Sequence, residues 1–393
     1  MRIVLFSHPA FMASQSMPRF TRMLHDAYLA RGHQVQVWAP QARCQRWVPA
    51  GGWSKWAGYV DQYLLFPQTV GARLRRQGDD TLFVFTDQAL GPWVPLVAHR
   101  PHVVHVHDLL ALRSALGMVP ENPTSRTGQA YQRYIRRGFR RARHFISISD
   151  KTRQDLHQFA GVAPATSEVV HNGLNHPFVP VAPREALDTL QHAGAAAPAT
   201  GMLLHVSSND WYKNVAGVVR IYAHYARGLQ DPLPLWLVGN IGADSLREVL
   251  AEVPAQGAVR FVRGLDNRAL QAAYSLARAL IFPSLEEGFG WPIVEAQACG
   301  CPVLTTDAAP MNEIGGPDAR YLPRLEHGAD AQAWARHGAT VLAELLADSA
   351  AEPQALRARC VAWSGRFSAD AAIDGYLRVY DEVLRWEQSR RRP

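Results

Sequence analysis

Lysine is nearly missing from this 393-residue chain: Lys55, Lys151 and Lys213 are its only lysines among 41 cationic residues, and the rest are arginine. A lysine in a binding loop is therefore worth notice, and Lys213 stands in one. Acidic residues are scarce in the first half: residues 1–180 hold 21 Lys and Arg against 10 Asp and Glu, a net +11, while the remainder holds 20 against 24, a net −4. Such asymmetry suggests an anionic partner for the amino-terminal half, either nucleic acid or a membrane surface. Cysteine is sparse too, and Cys44, Cys299, Cys301 and Cys360 do not make a disulfide framework in a chain this long. The Cys299/Cys301 spacing is not that of metal ligands, so both are read as packing at a helix end. No run of eighteen apolar residues occurs, which argues against a membrane-spanning helix. Met1–Leu5 leads straight into a strand pattern rather than a signal peptide, and a cytoplasmic location is expected. The length exceeds that of one usual core, so two domains are expected.

What is present is an alternation of strand and helix patterns. Arg2–Phe6 is a buried strand, Phe20–Ala30 repeats apolar residues at helical spacing, Arg31-Gly32-His33 stops that helix, and Val35–Trp38 is the next strand. This order marks a doubly wound sheet, with the loop Ser7–Arg19 overhanging the carboxyl edge where such sheets bind ligands. Leu82–Phe85, His102–Val106 and Phe145–Ser149 continue the series, and Asp150 caps a helix. Val181–Thr200, rich in Ala and Pro, reads as a linker. A second series follows at Met202–Val206, Leu235–Val238, Val259–Val262 and Ala279–Phe282. The expected division is 1–180, a linker at 181–200, a second domain at 201–366 and an amphipathic helix over 367–393.

The most informative run is Ile281–Pro302, IFPSLEEGFGWPIVEAQACGCP. Pro283 and Ser284 stop a strand, and Glu287, Gly288, Phe289 and Gly290 form a loop whose glycines let a ligand near the backbone. Pro292 suits the first turn of a helix that Gly300 and Pro302 end. Bare amides and the positive end of a helix dipole then face the carboxyl edge, a geometry that receives a phosphorylated ligand. Ionised Glu287 and Glu295 accept hydrogen bonds, and sugar hydroxyls are matching donors. Two glutamates at a helix start also simply favour its dipole, and composition leaves both readings open.

Glu287, seven residues, Glu295, followed by AQACG and PVL, resembles the signature of the retaining GT-B glycosyltransferases of family 4. The resemblance implies an α/β chain of two Rossmann-like, doubly wound domains facing a cleft. The first would serve the acceptor, the second would bind the nucleotide sugar, and the last helix would cross back to the first. It implies that Glu287 contacts the donor sugar, Glu295 holds the ribose hydroxyls, and the loop amides of Gly288, Phe289 and Gly290 serve the sugar and phosphates. Lys213 with Asn214, in SSNDWYKNV, matches the family's phosphate-binding lysine, and Arg263-Gly264 matches the backbone that meets the base. Members often carry an arginine five or six residues before the lysine. This chain has Ser207 and Ser208 there, and Arg263 is one candidate for the missing charge.

His107 leaves a strand end and matches a His-Asp position near the reacting sugar in that family, although a hydrogen-bonded structural histidine would look the same. His102, His105 and His107 do not share one face with carboxylates, so zinc is not expected. The loop SHPAFMASQSMPR lacks the paired glycines of many members, and His8, Gln15 and Ser16 are assigned to the acceptor side. A capped turn ahead of Pro18 explains the serines equally well. Gly51–Gln77, with Trp53, Trp56, Tyr59, Tyr63 and Phe66 beside Arg73, Arg75 and Arg76, fits a membrane interface or a buried helix face. Gln129–Arg143 is a basic amphipathic helix suited to an anionic membrane or to solvent.

The implied activity is retaining, metal-independent and cofactor-free transfer of a sugar from a GDP- or UDP-linked donor to a hydroxyl of a glycan or lipid-linked acceptor. Glu287, His107 and Lys213 are its expected catalytic residues. Bacterial surface polysaccharide or glycoconjugate synthesis, in the cytoplasm or peripherally on the inner face of the membrane, is the expected setting. A GT-B phosphorylase or a nucleotide-sugar epimerase would use a similar frame but does not usually carry this glutamate pair. A nonenzymatic nucleic-acid binder would use the arginines, yet no nucleic-acid motif occurs and Glu287, Lys213 and His107 would have no role.

Overall fold

The structure, a computed structural model, describes residues 1–11, 16–49 and 52–391. The chain divides into two compact units, Met1–Gly173 with Asp370–Pro393, and Leu174–Ala369. Each is built on a six-stranded, wholly parallel sheet. The first contains β1 (Arg2–Phe6), β2 (Gln34–Trp38), β3 (Leu82–Phe85), β4 (His102–Val106), β5 (His144–Ser147) and β6 (Thr166–Val169), in the order β2-β1-β3-β4-β5-β6. The second contains β7 (Met202–Val206), β8 (Leu235–Val238), β9 (Val259–Val262), β10 (Ala277–Phe282), β11 (Val303–Thr306) and β12 (Arg320–Leu322), in the order β12-β11-β10-β7-β8-β9. β3, β4, β5 and β8 are buried at every residue; LFVF and LWLV therefore read as unbroken apolar runs, while β4 and β5 also bury His102, His105, His144 and Ser147. Winding reverses once per sheet, between β1 and β3 and between β7 and β10. Loops leave these adjacent strand ends in opposite directions and open a crevice at the carboxyl edge.

One core of the first unit joins β1, β3, β4 and β5 to the helices Ser16–Ala30 and Ala369–Arg391. Phe20, Leu24 and Tyr28 from one helix meet Ile373, Tyr376, Val379, Tyr380 and Val383 from the other. Burying each such side chain is worth about 1.5–3 kcal/mol. Tyr28 donates its hydroxyl hydrogen to Tyr380 at 3.0 Å, and Arg143 and His144 both reach Glu387. A second core places Phe6, Phe66, Phe83, Phe85 and Trp93 together.

Several expectations change. The stretch 181–200, read as a linker, contains a helix: Pro183–His192 forms because proline suits its first turn, and it buries Ala186 and Leu190. Ser149, rather than Asp150, caps the helix Asp150–Phe159, accepting from Thr152 N at 3.1 Å. The aromatic stretch divides between both of its readings. Trp53 and Trp56 are 80% and 66% exposed, Tyr59 and Tyr63 are partly buried, and Phe66 lies in the core. The arginines divide likewise. Arg136 and Arg140 donate to the carbonyls of Ala160 and Gly161 at 3.0 and 2.9 Å, and Arg143 donates to Ala98 O, while Arg133, Arg137 and Arg141 face solvent. Cys299 and Cys301 are free and buried at the end of the helix Trp291–Ala298, and burial pushes the Cys299 thiol up to about 12. Among the described residues, no helix is long and apolar enough to cross a membrane.

Candidate active site

In the second sheet, β7 and β10 pair through Leu204 and Leu280 and then diverge. His205 bridges the divergence: its Nδ1–H donates to Ile281 O at 2.8 Å and its Nε2 accepts from Ser207 Oγ at 2.7 Å. Burial lowers its pKa to about 4, so it stays neutral and fixed. After β7 the chain reaches Asn214 at φ 52°, one left-handed residue that does two jobs. Its side chain accepts from Gly217 N at 3.2 Å, capping the helix Val215–Arg227, and donates to Pro283 O at 3.1 Å in the loop after β10. Leu285 N donates to Tyr212 O at 2.7 Å, a second tie between the loops. Between them lies the central contact, in which Lys213 Nζ donates to Glu287 Oε1 at 2.7 Å, both side chains being largely buried. The ammonium also sits 5.0 Å and 5.4 Å from the ring centroids of Tyr212 and Phe282.

The loop ends at Gly290, whose φ of 108° only glycine adopts without strain, and no side chain caps the helix Trp291–Ala298 that begins there. Phe289 packs its ring 5.5 Å from Trp291 and 5.8 Å from Phe367. Glu295, in the next turn, accepts from Tyr274 Oη at 2.9 Å. Burial pushes its carboxyl up to about 7, against the lowering effect of that bond. Arg263 donates to Ile241 O at 2.8 Å beyond the edge strand β9, and Gly264 has open space beside its Cα. The cation joined to the glycine loop is another one. Arg324, after β12, donates from Nε to Leu285 O at 3.0 Å and lies 3.8 Å from Glu286. Neither Arg324 nor His205 is apparent in the sequence, because each acts across strands.

In the first sheet, three strand ends bring together residues far apart in the chain. His8 follows β1, Asp87 follows β3 and His107 follows β4. A carboxylate only accepts, so His8 Nε2 carries the hydrogen in its 2.6 Å contact with Asp87 Oδ2. The other carboxylate oxygen accepts from Ala89 N at 3.0 Å. Burial pushes the Asp87 pKa up, but the bond from His8 and the charges of His8 and His107 outweigh it, and the group lies below its usual range. His107 donates from Nε2 to Thr86 O at 2.9 Å, and its backbone N–H donates to Gln88 Oε1 at 2.9 Å. Burial lowers its pKa against the opposing charge of Asp87, leaving a neutral ring with Nδ1 as acceptor. The signal for Asp87 was its place directly after a buried strand, the same signal that marks His107. Gln15 lies outside the described residues, and Ser16 opens the helix Ser16–Ala30. Among the described residues, no group of three or more His, Cys, Asp or Glu side chains could hold a metal ion.

Two family models match the chain in succession, Glycosyltransferase Family 4 over residues 17–177 and Glycosyl transferases group 1 over residues 192–343. Among curated proteins the chain is similar to the O-antigen chain mannosyltransferase B of Escherichia coli, 26% identical over 177 residues, 44% of this chain and 46% of that protein. It is also similar to the O-antigen chain mannosyltransferase RfbU of Salmonella typhimurium, 24% identical over 232 residues, 58% of each. The chain thus spans about half the length of these two curated relatives. Among solved structures, the sucrose-phosphate synthase of Thermosynechococcus elongatus superposes with a TM-score of 0.71 at 19% identity, over 98% of this chain and 99% of that one. The Anabaena protein HepE, solved in complex with UDP and glucose, gives 0.67 at 17% identity, over 97% of this chain and 100% of that one. Identities this low carry the fold alone.

Proposed function

Because the chain belongs to the family 4 glycosyltransferases of the GT-B fold, we propose that it moves a sugar from a nucleotide diphosphate sugar to a hydroxyl of a glycan. The observation that carries this reading is the Lys213–Glu287 contact of 2.7 Å at the head of an uncapped helix, at the reversal point of the second sheet. Lys213 would offset the diphosphate charge as the leaving group departs, within a loop that Asn214 holds in place. The amides of Gly288, Phe289 and Gly290 would serve the sugar and phosphates, Glu287 the sugar hydroxyls, Glu295 the ribose, and Arg263-Gly264 the base. His107, neutral, would accept a hydrogen bond from the reacting sugar. Positive charge fixed in a dry site stabilises a departing anion by several kcal/mol, roughly 3–4 for each well-placed donor. The glutamate pair implies retention at the anomeric carbon, and Lys213 with the helix end supplies the charge that a metal would otherwise bring. The names of the curated relatives favour mannose as the sugar and an O-antigen type of glycan as the acceptor. Bound UDP in HepE supports a nucleotide sugar as donor.

The test is a thermal-shift series with GDP, UDP, GDP-mannose and UDP-glucose, followed by transfer assays with the stabilising donor. Ligand at 100 times its Kd stabilises by about 2.7 kcal/mol, a readable rise in Tm. No shift with any nucleotide would remove the reading.

The acceptor proposed is lipid-linked, met at the inner face of a membrane. Trp53, Trp56, Val60 and Leu64 recur at helical spacing and are all exposed, as is Trp47, with Arg46 and Lys55 beside them. Exposed tryptophan and leucine next to cations suit the headgroup region of an anionic bilayer. Wild type should sediment with anionic vesicles at low salt and Trp53→Ser/Trp56→Ser should not. Wild type left in the supernatant would end this part of the reading.

A further inference from the structure

We propose that Tyr274 is a positioning residue for the nucleotide, holding one oxygen of Glu295 so that the other is left for ribose hydroxyls and the site prefers ribonucleotides to deoxynucleotides. Like the role of Glu295 at the ribose, this assignment rests on the sugar-transfer reading above. Tyr274 is fully buried in the helix Asn267–Leu276, and Glu295 keeps 8% of its surface exposed. Tyr274 Oη donates to Glu295 Oε2 at 2.9 Å. Oε1 has no hydrogen-bond partner among the described residues and, unlike the orphaned Oε1 of Gln297 two positions on, is not sealed from solvent. It is the open acceptor of the pair.

The distance between the two side chains is set by the elements that carry them. Arg357, from the helix Pro353–Ser364, donates to Ser275 O at 3.3 Å and to Cys299 O at 3.2 Å, so one guanidinium ties the end of the tyrosine's helix to the end of the glutamate's. Ser275 Oγ accepts from Val181 N at 3.0 Å, and the Phe178 ring stands 6.0 Å from that of Tyr274. A phenol held in this way leaves the carboxylate little freedom to turn.

The contact also acts on charge. Ribose hydroxyls are donors, and they bind an ionised carboxylate more strongly than a protonated one. Burial favours the protonated form of Glu295 and the bond from Tyr274 opposes it. Burial and the neighbouring charge of Glu295 push the phenol itself well above its ordinary value, so it keeps its hydrogen and stays the donor. The other titratable or charged groups beside the pair are the thiols of Cys299 and Cys301, which burial keeps neutral, and Arg357, which is always charged. Glu295 is therefore the member of this group whose charge changes near neutral pH.

The experiment measures, by calorimetry between about pH 5.5 and pH 8.5, the binding of the nucleotide found in the thermal-shift series and of its 2′-deoxy and 3′-deoxy forms. Wild type should bind at least one deoxy form about ten- to a hundredfold more weakly than the ribonucleotide. In Tyr274→Phe that preference should shrink by about tenfold. The pH at which binding tightens should move up, because the bond that favours the carboxylate is gone. Tyr222→Phe, at another buried tyrosine of the same unit, should change neither. In a Glu295→Ala background, Tyr274→Phe should cost nothing further, since the phenol acts through that carboxylate. A fluorotyrosine at position 274, nearly isosteric and a stronger donor, should move the pH midpoint down, which gives a second reading should Tyr274→Phe not fold. If Tyr274→Phe keeps the wild-type preference and midpoint, if fluorotyrosine leaves the midpoint unmoved, or if wild type does not distinguish ribose from deoxyribose, Tyr274 only packs while the sugar-transfer reading stands. If wild type neither binds nucleotide nor transfers sugar, both fall.

Discussion

Both sheets reverse their winding once, and both set a cross-strand polar pair at that point, His8 hydrogen-bonded to Asp87 at 2.6 Å in the first unit and Lys213 paired with Glu287 at 2.7 Å in the second. The surroundings of the two pairs differ. In the second unit an ammonium with aromatic neighbours meets a glycine loop and a bare helix end, all of them positive or hydrogen-donating. In the first, a buried carboxylate bonded by His8 and Ala89 stands near the neutral imidazole of His107. The shared topology places a site, and the loops decide whether it suits phosphates or hydroxyls.

The comparison breaks most visibly at Lys213. Lys213→Ala should cost about a thousandfold in kcat, as removal of a preorganised charge does, whereas Lys55→Ala and Lys151→Ala should not. Similar losses in all three variants would mean that the second reversal point carries no donor chemistry.

A smaller effect sharpens the division of labour within the second unit. Glu295→Ala should weaken nucleotide binding by roughly ten- to a hundredfold, the worth of hydrogen bonds to a charged group, while Glu287→Ala chiefly lowers turnover. Since burial holds the Glu295 carboxyl near 7, wild-type affinity for nucleotide should tighten as pH rises through that value, and the Glu295→Ala titration should be flat. Calorimetry across pH 5.5–8.5 decides.

The same shift has a stability counterpart. The folded state holds the Glu295 proton between the unfolded value of 4.5 and about 7, so unliganded stability should fall as pH rises through that window. The loss is roughly 3 kcal/mol at full ionisation, and Glu295→Gln should remove it. Melting curves at pH 5 and pH 8 test the sign.

The least effect belongs to the first unit. Burial raises the Glu387 pKa, but the bonds from His144 and Arg143 outweigh it and depress the carboxyl to about 2. Its contribution is therefore present above 4.5 and lost as pH falls toward 2. Glu387→Gln should lower Tm by about 2–4 °C near neutrality, with the gap closing in acid.

The second unit was the more readable of the two. Glu287 to Glu295 is one contiguous signature, and unbroken apolar runs such as LFVF and LWLV announce buried parallel strands without any knowledge of the fold. His205 and Arg324 are unreadable for a common reason: each has meaning only through a partner on a distant segment, Ile281 for one and Leu285 for the other. The helix Pro183–His192 is hidden because its alanine and proline are also the composition of a linker, although proline at a helix start and alanine within it are favourable. At Tyr59 and Trp56, three residues apart, periodicity gave the face but not whether protein or solvent lies against it.

The returning helix has a consequence for synthesis. Ile373, Tyr376, Val379, Tyr380 and Val383 complete a core shared with Leu5, Val84 and Val103, so the first 173 residues emerge from the ribosome without part of their own interior. The second unit runs without interruption from Leu174 to Ala369 and has all its residues first. The two units should thus mature in reverse of their order along the chain, against the usual amino-terminal-first sequence of domain folding. Until residues near 384 leave the exit tunnel, one apolar face of the nascent sheet stays open to chaperones.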